Sequence, residues 1–303
     1  MKKKVVGLGE VLWDLLPEKT CLGGAPANFA YITTLMGDQG IVASRVGEDS
    51  RGLEALRRMQ ELRLNIDHVQ TDRQHPTGTV RVELDDKGVA RFEIAHPVAW
   101  DFLEWTLDWQ RLAETADAVC FGSLAQRSEA SRATIRNFLQ ATSPGAVKVF
   151  DVNLRQTYYS QEVLSESMRL ADIVKLNDEE LPTIMKLFQL PHQDELSSAR
   201  RLISAYDLKL VCITRGGRGS LLVCDKSGDG DASEHPGFRV RVADTVGSGD
   251  AFTAGLVHEY LRVASLDQMN EVANRVGAWV ASEVGAMPVP KGGELEQSLA
   301  EVR

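Results

Sequence analysis

Six short apolar runs rich in valine and isoleucine, separated by stretches of helical period, constrain this chain more than any other feature. Val5–Leu8, Ile41–Val46, Ala118–Phe121, Val147–Val152, Ile173–Leu176 and Leu210–Thr214 are mostly apolar without strict alternation, which reads as strands buried on both faces. Between them Ala27–Met36, Gly52–Leu62, Glu129–Ala141 and Glu162–Leu170 place apolar residues at helical spacing. Strands alternating with helices are βαβ units, because parallel strands need a crossover and the crossover helix covers a sheet face. The pattern therefore predicts an α/β fold, a three-layer αβα sandwich around a mostly parallel central sheet. Pro26 and Gly37 punctuate the first helix where a first-turn proline and a terminal glycine belong.

One region departs from that rhythm. Thr79–Leu84 and Ala90–Ile94 alternate apolar with polar residues, and Asp85-Asp86-Lys87-Gly88 between them is a hairpin turn signal. Strands with one apolar face do not suit a doubly covered sheet. They form either a small separate sheet or an edge hairpin on the main core. The polar stretch Asp229–His235 reads as a surface turn, and Lys2-Lys3-Lys4 as a solvated chain end.

The 303 residues, 43% hydrophobic and 25% charged, suffice to bury a full core. The formal net charge of −9 argues against a nucleic-acid binder, which usually carries a clustered basic face. The apolar stretch Val5–Leu16, broken by Glu10 and Asp14, is too short and too charged to span a membrane. Cys21, Cys120, Cys212 and Cys224 lack paired spacing and read as reduced thiols, which points to the cytoplasm. The six histidines show no metal-ligand spacing.

Two stretches carry chemistry. Asp244-Thr245-Val246-Gly247-Ser248-Gly249-Asp250-Ala251-Phe252 runs into the helical stretch Phe252–Leu261. Gly247 and Gly249 let backbone N–H groups approach an anion, and a helix N-terminus adds unpaired donors and its dipole. Asp250 beside such a hole is placed to take the proton of an attacking hydroxyl. Near the other end, Gly23-Gly24-Ala25-Pro26-Ala27-Asn28 opens a helix shortly after Asp14. Asn28 and Asp14 offer the donors and acceptors that polyol recognition needs. Taken alone, the first stretch is equally well explained by a turn at a helix start. The second is better explained that way.

Together, and in this order, they resemble the ribokinase-like (PfkB-type) carbohydrate kinases. Gly23-Gly24-x-Pro26-x-Asn28 with Gly37 and Gly47 is similar to that family's first signature, and Asp244 through Val257 to its second. The resemblance spans essentially the whole chain and implies one domain, 1–303, carrying a small β-sheet lid from about 12–22 and 70–100. It implies a sugar kinase using ATP with Mg²⁺, and a homodimer through the lid. Asp14, Gly24, Asn28, Gly47 and Asp49 fall at sugar contacts. Asp250, with Gly247, Ser248 and Gly249, falls at the base and anion hole. Asn153, within Asp151-Val152-Asn153-Leu154-Arg155, falls close to the transferring phosphate. Asn177 and Glu180 match an Asn-x-x-Glu that positions Mg²⁺ through water. Thr214, Gly216, Gly219 and Asn274 fall on the nucleotide side. Asp244 and the Val246 carbonyl fall where relatives hold a monovalent cation such as K⁺. Ser248 adds a hydroxyl beside the phosphates.

Gly9-Glu10-x-Leu12-x-Asp14, Gly-Gly-Ala-Pro-Ala-Asn and Asp-x-Asn-Leu-Arg resemble the fructokinase branch, which implies fructose as acceptor and Arg155 beside it. A phosphosugar acceptor needs a cationic clamp, and Arg127 and Arg155 leave that alternative open. So does a non-catalytic sugar-binding regulator on the same fold, since fold does not fix function.

Overall fold

The computed structural model describes residues 2–303 except 17–18, 85–89, 226–230, 294, 301 and 303. The main sheet holds β1 (Lys4–Leu8), β4 (Gln39–Gly47), β5 (Val69–Asp72), β8 (Ala118–Gly122), β9 (Val147–Asp151), β10 (Ile173–Asn177), β11 (Leu210–Thr214), β12 (Ser220–Cys224) and β13 (Ala232–His235). Its order is β13-β12-β11-β10-β9-β8-β1-β4-β5, parallel from β11 to β5, with β12 and β13 antiparallel at one edge. A second sheet holds β2 (Leu12–Leu15), β3 (Thr20–Gly23), β6 (Gly78–Leu84) and β7 (Ala90–Ile94) in the order β3-β2-β6-β7.

The helices are α1 (Ala25–Leu35), α2 (Ser50–Glu61), α3 (Leu107–Thr115), α4 (Glu129–Ala141), α5 (Gln161–Leu170), α6 (Glu180–Leu187), α7 (Glu195–Tyr206), α8 (Ser248–Tyr260), α9 (Leu266–Ser282) and α10 (Leu295–Ala300). Successive strand residues point to opposite faces, so the core divides in two. Val6, Leu8, Val119, Phe121, Val174 and Leu176 pack with α3 to α7, whereas Val5, Ala118, Cys120, Val149 and Ile173 pack with α1, α2 and α8 to α10. Every predicted strand and helix is present. Among the described residues no helix is long and apolar enough to cross a membrane, and all four cysteines are free.

Two glycines fix where α1 lies. A Cβ at Gly7 of β1 would stand 2.0 Å from the Pro26 carbonyl oxygen, and one at Gly40 of β4 1.9 Å from that of Ala30. Glycine on both strands lets the helix backbone rest directly on the sheet. That contact brings Asn28, one turn into α1, down to the strand ends.

The alternating strands form the separate sheet: β2 and β3 make a hairpin, β2 runs parallel to β6, and β6 pairs antiparallel with β7. The turn 85–88 lies outside the described residues. Three expectations need correction. The segment 70–100 is not all small sheet, because β5 joins the main sheet beside β4 and Trp100 is buried in the main core. Ala232–His235 is an edge strand rather than a surface turn, paired with β12 through Ser220–Val223. Lys3 and Lys4 are tied down: the Lys3 ammonium lies 3.1 Å from Asp117 Oδ1, and the Lys4 N–H donates to Asp117 Oδ2.

Arg127, just past β8, fastens the small sheet to this core. Its Nε and Nη2 donate to Asp101 Oδ1 and Oδ2 at 2.7 and 2.8 Å, and Nη2 also reaches the carbonyl of Ala95, next after β7. The guanidinium stacks 4.0 Å from the Trp100 ring and 4.8 Å from the Tyr158 ring. Burial pushes the Asp101 carboxyl up, but Arg127, His96 and the Val98 N–H outweigh it and hold it below its ordinary value. Removing Arg127 strands a buried carboxylate, so Arg127→Ala should cost about 3–5 kcal/mol in urea unfolding. A lowered carboxyl contributes stability above its unfolded value, near 4, and loses it as pH falls toward the folded one. The variant should therefore lose less stability than the parent on acidification below about pH 4.

Candidate active site

The C-terminal ends of β1, β8, β9 and β10 converge on the first turn of α8. That helix starts at Ser248, four residues before the predicted apolar stretch, with Gly247 as its N-cap at φ 79°. A Cβ at Gly247 would stand 2.5 Å from that of Ala286, so both the left-handed backbone and the close packing demand glycine. Gly249 and Asp250 thus occupy the first turn, where backbone N–H groups have no acceptor within the helix. The Ser248 hydroxyl, expected beside the phosphates, donates back to the Thr245 carbonyl at 2.9 Å.

Asn28 and Asp250, 222 residues apart, meet here, with Asn28 Nδ2 donating to Asp250 Oδ2 at 2.8 Å. Asn28 Oδ1 is buried without a partner. Burial, then the nearby Asp151 carboxylate, push the Asp250 carboxyl up to about 6; Asn28, Lys175 and Arg155 oppose them. A narrow cavity beside Asp250 is lined by Pro26, Phe29, Cys120, Phe121, Asp151, Asn153 and Thr253.

Asp14 arrives on β2, so the small sheet contributes directly. A Cβ at Gly23 of the paired strand would approach Asp14 Oδ2 to 2.7 Å. Burial raises the Asp14 carboxyl to about 6, with Arg155 opposing and Asp244 adding to the rise. Gly24, at φ 110°, lies so close to the Glu10 carbonyl that a Cβ would sit 2.4 Å away. Arg155 is exposed and carries the positive charge felt by Asp14, Glu10 and Asp250.

Other predicted residues hold the frame. Asp49 caps α2 through Gly52 N–H and takes the N–H and hydroxyl of Thr77. Burial pushes it up, but these donors win and hold it low. Gly47 donates to the Thr77 hydroxyl at 3.0 Å. Both residues therefore anchor the entry to β6, and the Asp49 carboxylate oxygens are committed to that task. Asn153 sits in a left-handed backbone, φ 39°, in the loop after β9. Glu180 holds that loop: its Oε1 accepts from Leu154 N–H at 2.7 Å and its Oε2 from Asn177 N–H at 2.8 Å. Asn177 Oδ1 returns the contact to Glu180 N–H at 2.7 Å, a reciprocal pair of the capping-box kind. With both oxygens engaged and the side chain buried, Glu180 suits a cation reached through water better than direct ligation.

Thr214 stands beside Asn177 at the adjoining strand ends. The tight turn that follows needs Gly219, where a Cβ would stand 1.8 Å from the His235 carbonyl oxygen. Gly216, at φ 58°, faces open space. Asn274 meets the far side of this turn: its Nδ2 donates to Oγ of Ser220, which follows Gly219 and pairs with Thr214, and to the carbonyl and side-chain oxygens of Asn270. Asp244 organises its own loop, accepting from Val246 N–H and Gly285 N–H, with the Lys19 ammonium 3.6 Å away. Arg127 gives its Nε and Nη2 to Asp101 and the Ala95 carbonyl, and its Nη1 is buried without a partner, whereas Arg155 is exposed.

Two residues were given no role by motif reading, Glu10 although it belongs to the Gly9-Glu10-x-Leu12-x-Asp14 pattern. Glu10 is buried with Oε2 unpartnered, and burial followed by the Asp250 charge raises it to about 7. Lys175 is buried against Asp151. For Lys175 a lysine within an apolar run was the signal available, and it belongs to no glycine motif.

The sequence matches the pfkB family carbohydrate kinases over residues 19–291. It is 32% identical to a fructokinase of Escherichia coli, with 98% of this chain and 99% of that one covered. It is 31% identical to the Salmonella typhimurium fructokinase, with 95% and 96% covered. The fructokinase of Vibrio cholerae O395, solved with fructose, ADP and calcium ion bound, superposes with a TM-score of 0.83 at 25% identity, over 100% of this chain and 99% of that one. A sugar kinase of Pyrococcus horikoshii in complex with ATP gives 0.81 at 26% identity, over 98% and 99%. With the Asn28–Asp250 pair at an open helix N-terminus, these likenesses establish that the chain belongs to the pfkB family of carbohydrate kinases.

Proposed function

We propose that this protein transfers the γ-phosphoryl group of ATP to a hydroxyl of fructose, with Asp250 as the general base. The observation that carries the reading is the Asn28–Asp250 hydrogen bond at the start of α8, which supports a sugar-side role for Asn28 beside Asp250 as base. Asp250 accepts the proton of the attacking hydroxyl while Asn28 holds the carboxylate in line. The first-turn N–H groups of α8 stabilise the charge on the moving phosphoryl group. Asp14 and the small sheet that carries it cover the sugar and bind its hydroxyls. Asn153, Asn177, Thr214 and the Gly216 turn face the nucleotide.

Mg²⁺ carried on ATP would be met by Glu180 through water, and would neutralise phosphate charge. The Asp244 carboxylate and Val246 carbonyl would hold a monovalent cation. An unphosphorylated acceptor fits the charges best. Glu10, Asp14, Asp244 and Asp250 lie toward the sugar side, with Arg155 facing Asp14, Glu10 and Asp250, Lys175 engaged by Asp151 beneath Asp250, and Lys19 beside Asp244. A phosphosugar dianion would face those carboxylates.

The test is ADP release with ATP·Mg²⁺ against fructose, ribose, ketodeoxygluconate, adenosine and the phosphates of fructose and tagatose. Fructose should give the highest kcat/KM, and an analogue lacking a bound hydroxyl should fall by as much as ~10⁴-fold. A phosphosugar preference would shift the assignment to Arg155, and binding without turnover to a regulator.

Asp250→Asn should lower kcat by roughly 10²–10⁴-fold with sugar KM little changed. A folded variant with normal turnover removes Asp250 from the role of base. Because the base works deprotonated, kcat/KM of the parent should rise as pH climbs through about 6, where Asp250 loses its proton. Asp14→Ala should raise sugar KM about 10-fold or more and leave ATP binding unchanged. Equal loss of ATP affinity by titration calorimetry would place Asp14 on the other half of the site.

A further inference from the structure

Lys175 lies two residues before the end of β10, buried to 7% exposure. Its ammonium is 3.1 Å from both Asp151 oxygens, and the Thr253 hydroxyl of α8 reaches Asp151 Oδ2 at 3.3 Å. A Cβ built at Gly249 would stand 3.0 Å from the Lys175 Nζ, so the ammonium sits directly against the first turn of α8. Stability alone is a weak reason to keep such a pair, because a buried ion pair is commonly no better than apolar residues of the same volume.

Its surroundings suggest another reason. Asp250 is faced by Asp151 from β9, Lys175 from β10, Arg155 from the loop after β9, Asn28 from α1 and Glu10 from the β1–β2 connection. The Cys120 thiol of β8 feels the same charges, and burial before anything else keeps it protonated. Asp151 favours the protonated form of Asp250, while Lys175 and Arg155 favour the ionised form. Lys175 itself is pulled down by burial, but the carboxylates of Asp151, Glu180 and Asp250 outweigh this and raise it, so it stays charged.

We propose that Lys175 and Asp151 are positioning residues for the base: the buried pair, locked under Gly249 and fastened to α8 through Thr253, sets how readily Asp250 takes a proton. The proposal rests on the reading of Asp250 as base. The two members of the pair act in opposite directions, which gives it a signature that a merely structural pair lacks.

The experiment compares the acid limb of kcat/KM for fructose in the parent, Lys175→Met, Asp151→Asn and the double variant. Without Lys175 the two carboxylates face each other unopposed, Asp250 holds its proton to higher pH, and the limb should move up by about 1 pH unit. The corresponding activity loss, about 10-fold on the acid side, should disappear above pH 8. Without the Asp151 charge the limb should move down. The double variant should fall between the two single variants. Should Lys175→Met fail to fold because it strands Asp151, the order of Asp151→Asn, double variant and parent still decides.

Carboxyl titration of Asp250 by NMR in the unliganded protein should give the same order without turnover. It therefore separates this proposal from the substrate assignment. If Asp250→Asn keeps full activity, the base assignment fails. If Asp250 is the base but limbs and titrations coincide across the folded variants, with only stability or the kcat plateau altered, the pair is structural and the proposal is overturned.

Discussion

The direct seating of α1 on the sheet is the contact from which the site follows. Gly7 and Gly40 present no Cβ, so the carbonyls of Pro26 and Ala30 lie within 2.0 Å of where one would be. Any side chain there would lift α1 and with it Asn28. Helix α8 packs beside α1 on the same face, so lifting one would part Asn28 from Asp250. A close-packed interior passes such a displacement on rather than absorbing it.

Charge is the second organising constraint. The proposed phosphoryl transfer needs acids and cations at close quarters without mutual cancellation. Glu10, Asp14 and Asp250 are all raised, with burial first among the causes. Their neighbours Lys175 and Arg155 limit that rise at Asp250. Other charged residues are spent on architecture: Arg127 on Asp101, Asp49 on α2 and Thr77, and Glu180 on the loop that carries Asn153.

Much of this was legible in the chain before folding. Apolar runs gave the central strands, because a strand covered on both faces has few polar positions, Asp151 and Lys175 being exceptions. Glycine motifs gave the helix starts, and the family resemblance gave their pairing. Edge strands were harder to read. Ala232–His235 carries Glu234 and His235 because an edge strand faces water, and polarity made it look like a turn. Val69–Asp72 was assigned to the small sheet because only pairing with β4, a non-local event, places it in the main one.

What the sequence by itself determined is local: the periodicity of strands and helices, the glycine turns, and the residue types able to accept a proton or bind a hydroxyl. Tertiary structure alone decided which of those residues remain available. Asp49 and Asp250 are equally plausible carboxylates on paper. One is consumed by three hydrogen bonds to Gly52 and Thr77, whereas the other is left at a helix start facing Asn28. Lys175 carries no motif, yet it lies against Asp151 and Gly249 because three elements distant in sequence close around it. The physical reason is that proton affinity and hydrogen-bond capacity belong to an environment of burial and neighbouring charge, which exists only once the chain has folded.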